Sequence, residues 1–299
     1  MSNINPRVDI AFKKIFGVEE NKDLLISLIN SIVSTEDQVQ DLIILNPHNP
    51  KNFKSDKLSI LDIKATNTSG KMFNIEIQIT DEADYDKRAL YYWAKLYAEQ
   101  LKSGEEYSSL SKAIGIHILN FTCISSEKYH NVFHITEKES NLVYFKDLEL
   151  HTIELSKFAT KDQNLQDLVK KITTSLDMWC SFLTKHNLLN PDNLPKELND
   201  PSIKKAINIL EIMNFSEEER SAYDDHLKWM MIEANTLEKR YRDGIEEGRV
   251  EGEKIGEERG LKEGKIEIAS RMLKKGLDID DIIDITGLTK AEIENLKKV

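Results

Sequence analysis

Residues 61–78 read LDIKATNTSGKMFNIEIQ, and this stretch predicts two β-strands joined by a tight turn. The side chains of the second strand alternate, so its isoleucines face one way while Asn74, Glu76 and Gln78 face the other. This pattern is typical of a half-solvated surface strand, but a carboxylate beside two amides also suits a functional site. The strand before it favours the second interpretation.

The turn between the two strands sets their register. A three-residue loop that ends at Gly70, with this glycine in the left-handed conformation, is a common hairpin connection. It places Asp62 opposite Glu76, with the two Cβ atoms about 5 Å apart. Further towards the turn, Lys64 lies opposite Asn74. A two-residue turn would shift the register by one residue and put the two carboxylates on opposite faces.

The opposed carboxylates of Asp62 and Glu76 suggest a metal site. Two such groups repel each other, so a purely structural strand pair would be more stable without them. A divalent cation makes the same pair a set of ligands, because hard oxygen donors suit Mg²⁺ or Mn²⁺. This interpretation depends on the three-residue turn.

The order Asp62, hairpin, Glu76-Ile77-Gln78 resembles the signature of the PD-(D/E)XK nuclease superfamily, with glutamine in the place of the lysine. Three further segments and the glycine-rich tail resemble one branch, the bacterial recombination-promoting nuclease and transposase family. The segments are DIAFKKIFG (9–17), RALYYWAKLY (88–97) and IGIHIL (114–119).

The resemblance implies a metal-dependent DNA endonuclease that hydrolyses phosphodiester bonds, in recombination or in mobile-element or defence biology. Asp62 and Glu76, with the backbone carbonyl of Ile77, would hold one or two Mg²⁺ or Mn²⁺ ions. Asp9, in the first of the similar segments, is a candidate third carboxylate. A role as a helix N-cap is the alternative for Asp9.

The glutamine at position 78 leaves a positive charge missing. In the superfamily the lysine of Glu-x-Lys assists the attacking water and adds charge, whereas Gln78 can orient a water but supplies none. Lys64, on the same strand face as Asp62, is our candidate for that cation. The candidate contacts to the DNA backbone are Arg88, Lys87, Tyr92 and Lys54, with packing as the alternative for Tyr92.

The order of predicted elements agrees with a restriction-endonuclease-like mixed α/β core (α-β-β-β-α-β) and an all-helical C-terminal region. We predict four parts, namely a nuclease-like domain (1–158), a helical middle region (159–235), a long charged helix (236–266) and a small helix-turn-helix-like module (267–299). The predicted core elements are helices over 7–33 with a break near Gly17, strands at 41–45 and in the hairpin, a helix over 84–102 and a strand over 113–121. Shorter strands at 131–135, 142–146 and 148–155 and a helix over 162–190 follow.

Composition limits the classes of function. The 299 residues carry a formal net charge of −11, which opposes DNA binding because phosphate-binding proteins usually have a basic surface. No apolar stretch reaches membrane-spanning length and no signal-peptide pattern is present, which predicts a cytoplasmic protein without a membrane partner. Cys123 and Cys180 are too isolated for a disulfide framework or a zinc site and are predicted to be buried.

Glycine recurs every four residues from Gly244 to Gly264, six times in all, among glutamates, lysines and arginines. Flexible linkers lack so strict a period, so the spacing predicts a helix. Each glycine costs a helix about 1 kcal/mol relative to alanine, and close packing against a second helix would offset this cost. We therefore predict a homodimer through residues 236–299, with a frayed single helix as the alternative.

The last three helical stretches have the spacing of a helix-turn-helix. The final one, TKAEIENLKKV (289–299), would turn glutamates towards DNA phosphates, which favours a packing or oligomerisation module over a DNA reader. An alternative to the enzyme is a catalytically weak or inactive nuclease fold that acts through helix-mediated oligomerisation. The neutral Gln78 and the acidic surface leave this alternative open.

Overall fold

The computed structural model describes residues 4–46, 62–78, 84–160 and 164–296. The chain divides into two compact units, Met1–Met231 and Ile232–Val299. The four-part division suggested by the sequence stays a prediction. None of the helices in the described ranges is long and apolar enough to cross a bilayer.

The first unit contains a six-stranded mixed sheet. Its strands are β1 (Leu42–Ile44), β2 (Asp62–Asn67), β3 (Met72–Gln78), β4 (Ala113–Leu119), β5 (His130–Thr136) and β6 (Val143–Glu154), in the spatial order β1-β2-β3-β4-β6-β5. The pairs β3–β4 and β4–β6 are parallel, whereas the other three pairs are antiparallel. The spatial order places β3 and β4 at the centre of the sheet.

Helices flank the sheet and form the C-terminal region, which confirms the predicted fold class. They are α1 (Asp9–Phe16), α2 (Lys22–Ile32), α3 (Tyr85–Ala98), α4 (Leu155–Phe158), α5 (Leu165–Val169), α6 (Ser175–Lys185), α7 (Pro201–Ile212), α8 (Glu217–Lys274), α9 (Ile279–Thr286) and α10 (Lys290–Leu296).

The β2–β3 hairpin has the predicted turn and register. Gly70 has φ 83°, and its N–H donates to the carbonyl of Asn67 at 3.1 Å. The side-chain oxygen of Asn67 accepts hydrogen bonds from the N–H groups of Ser69 and Lys71 at 3.1 and 2.9 Å, which holds the loop closed. As a result Asp62 pairs with Glu76.

The two faces of the sheet bury different kinds of side chain. The isoleucines of β3 and β4 join one hydrophobic core with residues of α1, α2, α6 and α7. The opposite face carries Asn74, Glu76 and Gln78 beneath α3, where they are only 2, 4 and 6 % exposed. The alternative of a half-solvated surface strand is therefore wrong, because α3 covers the polar face.

Trp93 attaches α3 to this face of the sheet. The indole N–H of Trp93 donates to the carbonyl of Ala113 at 3.0 Å, and Trp93 and Leu96 form a buried cluster with Ala113 and Met72. Because Met72 begins β3, the C-terminal half of α3 lies over the start of that strand. The first turn of α3 therefore lies over the end of β3, where the polar residues are.

Several predicted elements differ from the structure. The two strands predicted at 142–146 and 148–155 are one twelve-residue strand, β6. The helix predicted over 162–190 is interrupted, because Thr174 and Asp177 form a capping box that starts α6 separately from α5. Cys180 is buried as predicted, whereas Cys123 is exposed.

The C-terminal region is helical as predicted. The six evenly spaced glycines lie in α8, and a Cβ added at any of them would meet no heavy atom within 4 Å. After α8, the helices α9 and α10 pack around a small core of Ala269, Ile282, Leu288 and Ile293. The predicted capping box of Thr289 and Glu292 opens α10.

We predict that Gly70→Ala lowers the free energy of unfolding by more than Gly104→Ala. Both glycines have positive φ, 83° and 90°, so alanine costs about 1–2 kcal/mol at either. Only at Gly70 would the new Cβ also approach Ser111 Oγ, at 2.7 Å. Urea unfolding of both variants measures the difference.

A Gly70→Ala/Ser111→Ala double variant serves as the control and should recover the excess loss only. Equal losses at Gly70 and Gly104 would contradict the contact with Ser111.

Candidate active site

Glu76 and Gln78 lie side by side on the polar face of β3 and share one cationic partner. Arg88, in the first turns of α3, donates from its guanidinium to Glu76 Oε1 at 3.1 Å and also to Gln78 Oε1. The Arg88 side chain is 25 % exposed, whereas that of Glu76 is 6 % exposed. The guanidinium thus links a buried carboxylate with the surface.

Two aromatic rings limit the space beside Glu76. His117 on β4 is paired with Glu76 in the sheet, and its Nδ1 lies 3.7 Å from Glu76 Oε2. Tyr85 packs edge-on against His117 with ring centroids 5.8 Å apart. Burial, with a smaller contribution from Arg88, lowers the pKa of His117 to about 4, so the imidazole is neutral at neutral pH. His117 therefore provides no compensating positive charge for Glu76.

Asp9 brings a second carboxylate to the site from the first turn of α1. Its pKa rises to about 7 because burial disfavours the charged form and the negative charge of Glu76 repels it. The positive charges of Arg88 and Lys13 act in the opposite direction. His226 of α8 lies close by, with Nδ1 3.5 Å from Asp9 Oδ2. The N-cap of α1 is Val8, so the alternative role of Asp9 as an N-cap does not hold.

The third carboxylate, Asp62, is positioned by the hairpin. Its Cα is paired with that of Glu76, as predicted, while its side chain lies outside the described part of the structure. The side chain of Ile77 is 2 % exposed and packs into the apolar core, on the face of β3 opposite to Glu76 and Gln78. Its predicted contribution to the site is therefore limited to its backbone carbonyl. The strand pairing and α1 therefore bring Asp62, Glu76 and Asp9 to one region.

Two of the other predicted site residues pair with carboxylates other than Glu76. The ammonium of Lys64 lies 3.5 Å from Glu99 Oε2, near the end of α3. Lys87 is exposed and pairs with Asp84 at 2.6 Å. Tyr92 is 41 % exposed, so the packing alternative accounts for only part of its surface. Lys54 lies outside the described residues.

The donors around Glu76 fit a hard divalent cation. The candidate ligands from Asp62, Glu76, Ile77 and Asp9 are all oxygen atoms, which Mg²⁺ and Mn²⁺ prefer over nitrogen or sulfur. Within the described residues, no group of three or more His, Cys, Asp and Glu side chains could hold a metal. That set leaves out the Asp62 side chain, so the fit rests on the carboxylates of Glu76 and Asp9 and on the backbone register.

The comparisons with known proteins agree with this geometry. Residues 6–240 match the family described as PD-(D/E)XK nuclease family transposase. The chain belongs to this family. Residues 262–298 match the C-terminal HTH domain of the Rpn/YhgA-like nuclease family. Searches of curated proteins and of solved structures gave no match.

The match confirms the nuclease resemblance and the helix-turn-helix spacing that the sequence indicated. The sequence did not indicate that Arg88 lies against Glu76 and Gln78, or that His226 lies 3.5 Å from Asp9. The available signal was that Arg88 lies one turn into the helix that follows β3. A long side chain at that position can reach back over the end of β3.

We predict that Asp9→Asn stabilises the metal-free protein, and that the gain grows from pH 4 to pH 7. The unfolded chain loses the Asp9 proton near its ordinary pKa of 3.8, whereas the folded chain keeps it until about pH 7. The stability of the wild type should therefore fall over this range, and asparagine removes the dependence. Thermal melts at several pH values measure the gain.

Asp224→Asn, at an exposed position of α8, is the matched control and should show no such trend. A gain for Asp9→Asn that is the same at pH 4 and pH 7 would contradict the raised pKa.

Proposed function

We propose that this chain is a DNA endonuclease that hydrolyses phosphodiester bonds with Mg²⁺ or Mn²⁺. The observation that carries the proposal is the pairing of Asp62 with Glu76 across a hairpin whose polar face is buried. The raised pKa of Asp9 supports it as well, because burial and, to a smaller extent, the negative charge of Glu76 both disfavour the charged form of this carboxyl. Buried, mutually repelling carboxylates are typical of functional sites.

The residues have separate roles in this proposal. Asp62, Glu76 and the carbonyl of Ile77 would hold the cation, with Asp9 as a further carboxylate. A bound divalent cation lowers the pKa of a water and offsets negative charge on the phosphate. The amide of Gln78 would orient the attacking water, because it can both donate and accept hydrogen bonds.

DNA would approach the exposed surface of α3, to which Lys87 and Tyr92 both contribute. A lysine and an aromatic ring suit the phosphate backbone and an exposed base, respectively. Lys54 and Lys64 stay candidates for further contacts. We place the reaction in recombination or mobile-element biology because the family carries transposase in its description. Its location would be the cytoplasm, where bacterial DNA lies.

We further propose a homodimer through residues 236–299. The support is the line of six glycines in α8, where a second backbone could approach without meeting a side chain. Exposed apolar residues lie along the same helix, among them Tyr241, Ile245, Val250 and Ile255. A dimer would bring two nuclease sites into one particle, as a double-strand cut requires of an enzyme with one site per chain.

We predict that Glu76→Gln and Asp62→Asn each abolish metal-dependent cleavage of plasmid DNA, because each removes one anionic ligand. Asp224→Asn is the control and should cut at the wild-type rate. Gel analysis with Mg²⁺, with Mn²⁺ and with a chelator measures the activity. Wild-type cleavage by Glu76→Gln would show that the site is elsewhere.

We predict that alanine at Gly248, Gly252 and Gly256 together weakens the dimer. In a single helix the same change would only stabilise the helix, by about 1 kcal/mol per residue. Helix content by circular dichroism and particle mass by light scattering separate the two cases. A wild-type protein that is monomeric at micromolar concentration would remove the dimer from the proposal.

A further inference from the structure

One requirement of the proposed reaction is not met by its predicted residues. The charge that builds on the scissile phosphate needs a fixed cation, and Gln78 is neutral. Lys64 was the candidate from the sequence. Its ammonium lies beside Glu99, and its position on β2 is paired with Asn74, two residues before Glu76 on β3. Two residues correspond to about 6.6 Å along a strand.

Arg88 lies where that cation is needed. Its guanidinium contacts Glu76 and Gln78 together, so it lies over the two polar positions at the end of β3. We propose that Arg88 is a catalytic residue, and that its guanidinium contacts the scissile phosphate in place of the lysine of Glu-x-Lys. This inference rests on the proposed endonuclease function.

The position of Arg88 is fixed by the packing of its helix. Tyr85, Ala89 and Trp93 of α3 are buried against the sheet, at 7, 4 and 5 % exposure. The backbone of Arg88 is therefore held by buried neighbours on both sides, while its side chain is one-quarter exposed. A guanidinium on a rigid helix, partly open to solvent, is preorganised to meet an entering anion.

The chemistry of arginine suits this position. A guanidinium presents five N–H donors in a planar fork that can contact a phosphate at two oxygens. In the described state, Glu76 accepts from this fork at 3.1 Å. A divalent cation on Glu76 would compete for the same carboxylate and leave donors of Arg88 for the phosphate. The carboxylate of Glu76 would thus be neutralised by Arg88 before the cation binds and by the cation afterwards.

The proposed step balances without a further reactant. The water oxygen forms a bond to phosphorus, the bond from phosphorus to the leaving oxygen breaks, and that oxygen keeps the electron pair and takes a proton from solvent. Arg88 stays protonated throughout, because arginine does not lose its proton in proteins. Its role is to stabilise negative charge on the phosphate, so the proton of the attacking water passes to solvent.

The experiment compares Arg88→Gln, Arg88→Lys and Arg88→Gln/Gln78→Lys in the full-length protein. Arg220→Gln, an exposed arginine of α8, is the matched control. Turnover of plasmid DNA with Mg²⁺ is one measurement. The other is the affinity for Mn²⁺ without DNA, by titration calorimetry, which does not depend on activity. Thermal melts show whether each variant folds.

We expect Arg88→Gln to lower kcat by about 10²–10³-fold, as for the loss of one transition-state donor. Its Mn²⁺ affinity should be unchanged or higher, because a competitor for Glu76 has gone. Arg88→Lys should keep part of the activity through its charge. The double variant should recover at least tenfold, because Gln78→Lys restores a cation at the other position.

Three results would overturn the inference. Arg88→Gln that cuts at the wild-type rate, while Glu76→Gln is inactive, removes Arg88 and leaves the proposed function standing. Arg88→Gln that weakens Mn²⁺ binding as much as Glu76→Gln does makes Arg88 a structural support of the metal ligands. Wild-type protein that cuts no DNA with either metal ends both proposals. If Arg88→Gln does not fold, Arg88→Lys carries the test, because it keeps the charge and removes the planar fork.

Discussion

Two carboxylates buried close together need positive charge nearby, and this constraint accounts for the arrangement around Glu76 and Asp9. Burial and the charge of Glu76 together raise the pKa of Asp9 to about 7, so the site is under electrostatic strain in the metal-free state. Arg88 relieves part of this strain and Lys13 another part. A fold that keeps such a cluster loses stability through it, which is typical of functional sites.

A second buried charge cluster in the same sheet shows what a satisfied arrangement looks like. Lys112 donates to Asp37 at 2.6 Å and to Glu149 at 2.9 Å, and His151 lies 2.7 Å from Glu149. Burial would raise the pKa of Glu149, but the hydrogen bonds from His151 and Lys112 outweigh it and lower the pKa to about 2. Asp37, which also pairs with Lys71, has a lowered pKa as well. The pKa values of Asp37 and Glu149 are lowered by their cationic partners, whereas the pKa of Asp9 is raised.

The sequence predicted what depends on local geometry. Side-chain alternation in a strand has a period of two, and Gly70 admits only a few turns, so the pairing of Asp62 with Glu76 followed from the chain alone. The residue that a long side chain contacts cannot be predicted from local geometry, because it depends on how helices pack on the sheet. Arg88 was therefore expected on DNA and Lys64 in the site, while α3 brings Arg88 to Glu76 and Lys64 to Glu99.

The formal net charge of −11 has a different consequence for DNA binding in each of the two units. Residues 262–298, which match the helix-turn-helix domain, contain eight acidic residues and eight lysines and arginines, so this module has no formal net charge. Without an excess of positive charge, the helix-turn-helix lacks the basic surface that usually holds phosphates, so its spacing alone does not make it a DNA reader. The nuclease unit needs only a few well-placed cations, because a metal and Arg88 would neutralise the one phosphate that reacts. Contacts to the neighbouring phosphates would then have to come from local basic side chains, because the net charge of the chain gives no general attraction for DNA.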